Sequence, residues 1–178
     1  MSALRSNPKA IKTTDALILL MKVIDPSRFM SLAVKEARAG MRKNQGGPFG
    51  AVVVRNGRVV ARAHNEVLKL NDPTAHAEVL AIRMAAKKLK RFDLGDCEIY
   101  STCEPCPMCL AAIHWAKMKK VFFGCGRNDA AAMGFDDREM YDLFRHPAHE
   151  NVELVRLPGE ACAPLLSEWR KKRNKKLY

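Results

Sequence analysis

The sequence predicts an α/β sandwich in which helices flank a mixed sheet of about five strands. Its apolar periodicity switches between helical and strand-like along most of the chain. Two adjacent strand-like runs are separated by Asn56-Gly57, the strongest short-range hairpin signal. The remaining strand-like runs alternate with helical ones, so the sheet is expected to mix hairpin and crossover connections.

Residues 1–12 are polar and mixed and read as a loose tail. Thr14 is placed to cap a short helix from Asp15 to Ile24, which Asp25-Pro26 stops. A longer helix is expected over Arg28–Arg42, where Phe29, Ala33, Ala37 and Met41 form a core-facing stripe. Gly46-Gly47-Pro48-Phe49-Gly50 breaks it, and strands follow at Ala51–Arg55 and Arg58–His64. Asn71-Asp72-Pro73-Thr74 turns the chain into a helix over Ala75–Lys90. A strand over Glu98–Thr102 leads to a helix over about Cys106–Lys117, with Pro105 suited to its first residue. Then come a strand at Val121–Gly124, a helix at Asp137–Phe144, a strand at Val152–Arg156 and a last helix over Glu160–Lys172. No internal repeat or low-complexity linker interrupts this order.

A chain of 178 residues with 48% apolar and 28% charged residues fits one ordinary globular domain. No apolar run approaches the ~18 residues of a membrane span. Ala16–Met21 is too short for a signal peptide and lacks a small-residue cleavage site, so the cytoplasm is the expected compartment. In a reducing compartment, clustered cysteines read as metal ligands or catalytic groups. Cys97, Cys125 and Cys162 stand alone and read as small buried apolar residues. The net charge of +12 raises the question of nucleic acid. The basic run from Arg170 to Lys176 reads first as a solvated helix end whose charges suit the helix dipole.

The chemistry concentrates in two places. Cys103-Glu104-Pro105-Cys106-Pro107-Met108-Cys109 brings Cys106 and Cys109 to one face of a helix start, where the dipole favours thiolate. A thioredoxin-like redox pair is one reading, although Pro107-Met108 is not a strong cue for it. A structural zinc site would need a second Cys-x-x-Cys, which the chain lacks. His76, in Thr74-Ala75-His76-Ala77-Glu78, supplies a third ligand instead. Three protein ligands leave zinc's fourth position open for water, the catalytic arrangement. Glu78 would take that water's proton, although positions i and i+2 of an ideal helix face different ways. His-x-Glu and Cys-x-x-Cys each occur commonly by themselves. His-x-Glu joined with Pro-Cys-x-x-Cys is the signature of zinc nucleobase deaminases, where the Glu is a proton shuttle and not a ligand.

From about Phe29 onward the chain resembles the purine deaminases of the cytidine-deaminase fold, in particular the bacterial guanine deaminases. The segments Asn71–Glu78 and Cys103–Cys109 carry that resemblance, and tRNA adenosine deaminases share both. Gly46-Gly47-Pro48-Phe49-Gly50, Gly134-Phe135-Asp136-Asp137 and the terminal Asn174–Tyr178 resemble the guanine type. Guanosine deaminases share the first two of these, and Trp115 favours the free base.

The resemblance implies a three-layer α/β/α cytidine-deaminase-like fold, with residues 29–178 as the deaminase domain and residues 1–28 as an N-terminal extension. It implies one Zn2+ per subunit on His76, Cys106 and Cys109, with Glu78 catalytic and Cys103 a packed neighbour outside the metal. Substrate contacts would come from Asn65, Phe49, Ala77, Trp115 and Asp137, and from Tyr178 of the partner in a domain-swapped homodimer. Each has a plainer reading: Asn65 could cap a turn, Asp137 a helix, Trp115 could be core and Tyr178 a frayed end. The reaction implied is guanine to xanthine and ammonia. A guanosine or tRNA adenosine deaminase and a non-catalytic zinc module are the alternatives, and the basic tail keeps a nucleic-acid partner among them.

Overall fold

The computed structural model describes residues 25–145, 155 and 162–174. Helix α1 spans Pro26–Arg42, with Pro26 in its first turn and the Asp25 carboxylate accepting from the Ser27 amide. Strands β1 (Gly50–Arg55) and β2 (Arg58–His64) form the expected hairpin. Asn56 and Gly57 both have positive φ at its tip, as a two-residue loop of matching twist requires. A single turn, α2 (Val67–Leu70), precedes α3 (Ala77–Leu89). Then follow β3 (Cys97–Cys103), α4 (Pro107–Trp115) and β4 (Lys120–Cys125). Three helices complete the described chain: α5 (Arg127–Ala132), α6 (Arg138–Arg145) and α7 (Ala163–Lys171).

The sheet runs β2-β1-β3-β4. β1 is antiparallel to both β2 and β3, whereas β3 and β4 are parallel. β1 is buried on both faces, so its side chains alternate between two cores. Ala51 and Val53 join Ala77, Ala81 and Ala85 of α3 and Ile113 of α4. Val52 and Val54 pack with Phe29 and Ala33 of α1 and with Tyr100. The Tyr100 ring stacks on Phe122 at 4.5 Å between centroids. Helices on both faces of a mixed sheet make the three-layer α/β/α sandwich.

Several expectations change. The described sheet has four strands. The fifth, expected at Val152–Arg156, lies outside the described residues except Val155, which is exposed and not in a strand. The short helix expected over Asp15–Ile24 also lies outside them. Gly40, not Met41, completes the buried stripe of α1, because the His64 ring packs where a side chain at 40 would be. Cys97 is buried as expected, but Cys125 and Cys162 are exposed, at the end of β4 and just before α7. Pro107, not Pro105, is the first helical residue of α4.

The register sets up the site. Gly50 pairs with His64, Ala51 with Ser101, and Cys103 with Cys125. The start of β1 and the ends of β2, β3 and β4 therefore lie at one end of the sheet. The segments 44–49, 65–76, 104–106 and 126–137 all leave from that end.

Candidate active site

Two of the three cluster residues stand at helix N-caps. His76 caps α3 and Cys106 caps α4, both with extended backbone. Cys109 sits in the first turn of α4, fully buried. His76 Nδ1 lies 3.5 Å from Cys109 Sγ and 3.7 Å from Cys106 Sγ. Tetrahedral zinc, with Zn–S about 2.3 Å and Zn–N about 2.0–2.1 Å, sets N···S edges of about 3.6 Å. The donor set therefore fits zinc in type and in spacing, and its ligand atoms all lie within 4.8 Å of one another. Cys103 is outside this group; its thiol donates to the Gly126 carbonyl at 3.6 Å.

The N-cap position of His76 removes the helical-face objection to Glu78. His76 is not yet helical, so it and Glu78 both reach the cluster. Glu78 is only 6% exposed. Its Oε1 accepts from Ser101 Oγ at 2.9 Å, and its Oε2 lies 3.5 Å from Cys109 Sγ. Burial raises the Glu78 pKa, with the Ser101 hydrogen bond opposing. A buried carboxylate beside a metal-fitting donor set is the setting in which perturbed pKa values mark candidate acid–base groups.

A cavity of about 600 Å³ opens over the cluster. His76, Glu78 and Cys106 form its floor, and Phe49, Asn65, Phe135 and Asp137 are among its walls. Phe49 and Phe135 meet edge to face with centroids 4.9 Å apart.

Residues 24–125 match the cytidine and deoxycytidylate deaminase zinc-binding region. A guanine deaminase of Bacillus subtilis is 45% identical over 151 residues, covering 84% of this chain and 97% of that protein. The chain belongs to the cytidine and deoxycytidylate deaminase family. The X-ray structure of a B. subtilis guanine deaminase is similar at a TM-score of 0.83 and 44% identity, covering 86% of this chain and 99% of that one. A tRNA-specific adenosine deaminase of Aquifex aeolicus is 35% identical over 145 residues, covering 81% of this chain and 93% of that protein. The cofactor of this deaminase family is zinc, in agreement with the donor set.

Asn65 is the best-defined wall residue of this deaminase-family cavity. Its Oδ1 accepts from the Gly47 amide at 3.3 Å and the Val67 amide at 3.2 Å. Two backbone donors aimed at one atom identify it as the oxygen, which leaves the NH2 group to donate. The Asn65 amide in turn donates to the Phe49 carbonyl at 3.0 Å, and the Glu66 amide to Ala75 at 3.0 Å. The junction at 65–66 thus ties the Phe49 segment to the His76 segment.

Asp137 lines the same cavity, and burial raises its carboxyl pKa while Arg127 opposes. Asp136 beside it is held down to about 2 by hydrogen bonds from Arg138. Ala77 is fully buried in the core at the start of α3, so its side chain is a core contact. Trp115 is 58% exposed at the far end of α4 and is not among the cavity-lining residues. It stands nine positions along the helix from Cys106, about 13.5 Å at 1.5 Å per residue. Tyr178 lies outside the described residues.

Arg127, Glu104 and Met140 also line the cavity, and no sequence signal singles them out. Glu104 arrives from a loop, Met140 from α6 and Arg127 from the short helix α5, whose cap, Asp129 accepting from the Gly126 amide at 2.8 Å, is the one local clue.

Proposed function

We propose that this protein deaminates guanine, giving xanthine and ammonia, in the cytoplasm. The observation that carries the reading is the meeting of Phe49 and Phe135 over the His76–Cys106–Cys109 cluster. These residues come from the two segments that resemble guanine rather than tRNA deaminases. Together they build an aromatic corner in the cavity wall, against which a flat base can rest. The 45% identity to a guanine deaminase, against 35% to a tRNA-specific adenosine deaminase, supports the same choice.

His76, Cys106 and Cys109 would hold zinc, which when bound supplies a water acidic enough to ionise near neutral pH. Glu78 accepts the proton of that water and delivers it to a ring nitrogen of the base. Attack falls on C2. Glu78 would then take the second proton, from the hydroxyl added at C2, and pass it to the amino group, which departs as ammonia and leaves the C2 carbonyl. Ser101 keeps the Glu78 carboxylate aimed while it alternates between base and acid. The Asn65 NH2 group donates to an acceptor on the purine edge. The Phe49 ring stacks on one face of the base, the perpendicular Phe135 ring meets its edge, and Asp137 stands ready for the leaving amino group.

We propose further that the chain works as a homodimer exchanging C-terminal segments. All of α7 is exposed, with Leu165, Leu166 and Trp169 open to a partner surface. Tyr178 would then close the neighbour's cavity. Ammonia release from guanine, guanosine and an inosine-forming tRNA tests the substrate class. Turnover of guanine at far the highest kcat/KM supports the proposal, and turnover of RNA alone refutes it.

A further inference from the structure

Asn65 presents its NH2 group only while Gly47 and Val67 both donate to its oxygen. Those donors lie on two different segments, one before β1 and one opening α2. Gly47 lies in a loop, and Val67 opens a helix of a single turn. A second set of bonds joins the same segments outside the cavity. The Gln45 carbonyl accepts from the Leu68 and Lys69 amides, each at 3.1 Å. The Gln45 amide donates to Gly40 at 3.1 Å, anchoring the segment to the end of α1. The Gln45 side chain reaches His64, with Oε1 2.7 Å from Nε2.

His64 is well placed to hold it. Nε2 also faces Glu66 Oε1 at 3.4 Å, so two oxygens surround it and it carries the donated proton. The ring sits against Gly40, where an added Cβ would be 2.3 Å from Cδ2. His64 directly precedes Asn65. Whatever fixes the ring fixes the backbone from which the Asn65 amide leaves.

We infer that Gln45 and His64 form a strap that positions Asn65 for base recognition. The inference rests on the cavity being a purine site. The two residues touch neither the metal cluster nor the cavity, so they are positioning residues. With the Gln45–His64 bond cut, the main-chain bonds of Gln45 to Leu68 and Lys69 and of Asn65 to Phe49 still join the two segments, but they are held less firmly and the 3.3 Å bond from Gly47 to Asn65 weakens. Binding weakens while the machinery at Glu78 is untouched.

The test uses zinc-loaded full-length protein with Gln45→Ala, and with His64→Phe, which keeps a ring against Gly40 but removes the donor. Each raises KM for guanine roughly three- to tenfold, the worth of one neutral hydrogen bond, with kcat within about twofold and zinc unchanged. Gln45→Ala added to Asn65→Ala raises KM no further. Hydrogen exchange of the Gly47 and Val67 amides quickens in both single variants. Unchanged KM with only a lowered Tm makes the pair merely structural and overturns the inference. So does a further KM rise in the Asn65→Ala background. If the wild-type protein does not turn over guanine, the functional reading falls. The exchange measurement then still decides the strap: unchanged protection at Gly47 and Val67 overturns it.

Discussion

Gly46→Ala probes the cavity wall without touching the metal. An added Cβ at 46 would lie 2.1 Å from Asn65 Oδ1 and 2.5 Å from the Asn65 backbone oxygen. Carbon and oxygen settle at about 3.3–3.6 Å, so the two segments must part by about 1 Å. A rotamer change at Asn65 relieves only the first clash, because the second is with backbone. The Gly47 amide, now 3.3 Å from Oδ1, would move beyond hydrogen-bonding distance. Misplacing a substrate-orienting group by 1 Å costs about 10²-fold, or about 2.7 kcal/mol in the barrier. The overpacking itself destabilises by about 1–3 kcal/mol. Steady-state kinetics on guanine should show kcat/KM about a hundredfold down, with zinc content unchanged. Gly126→Ala is the control, since its Cβ would meet only Asp129 Oδ2 at 3.7 Å, and it should stay near wild type. Gly46→Ala enzyme within threefold of wild type would refute the argument, as would loss of its zinc.

Two further outcomes follow from the cluster. Without metal, the Cys106 thiol is held low chiefly by the Cys109 hydrogen bond, while Cys109 is pushed up by the same contact and by burial. His76 is raised chiefly by its hydrogen bond to Cys106. The metal-free site therefore keeps protons that zinc must displace, so affinity weakens as pH falls and uptake releases protons; calorimetry in buffers of different ionisation enthalpy measures this. Cys106→Ser should lose most of its zinc, whereas Cys103→Ser, whose thiol donates to the Gly126 carbonyl and lies outside the cluster, should retain zinc and activity by metal analysis and turnover.

The hairpin was legible because Asn56-Gly57 encodes its own turn, and the buried runs of β1 and β3 because their composition admits little else. The metal ligands were legible because zinc chemistry restricts residue types so tightly. Their local setting was not. His76 and Cys106 cap their helices; α3 starts at Ala77, two residues after the expected Ala75, and this leaves His76 outside the helix so that Glu78 can share its site. Trp115 stands at the far end of α4, away from this protomer's cavity, a placement that a residue type beside a motif does not report. Arg127, Glu104 and Met140 reach the wall through tertiary packing of the 104 and 126–140 segments, which no local pattern reports. The exposure of Cys125 likewise follows from β4 lying at the described edge of the sheet.

The central claim is that Glu78 shuttles protons beside a zinc held by His76, Cys106 and Cys109 to convert guanine to xanthine. The most direct measurement follows xanthine formation by zinc-loaded wild-type protein and by Glu78→Gln, with metal content measured on the same samples. The wild type should turn over guanine, and the variant should keep its zinc yet lose at least about 10²-fold in kcat. A zinc-bound variant working at the wild-type rate, or zinc-loaded wild-type protein that leaves guanine unchanged, would contradict the account.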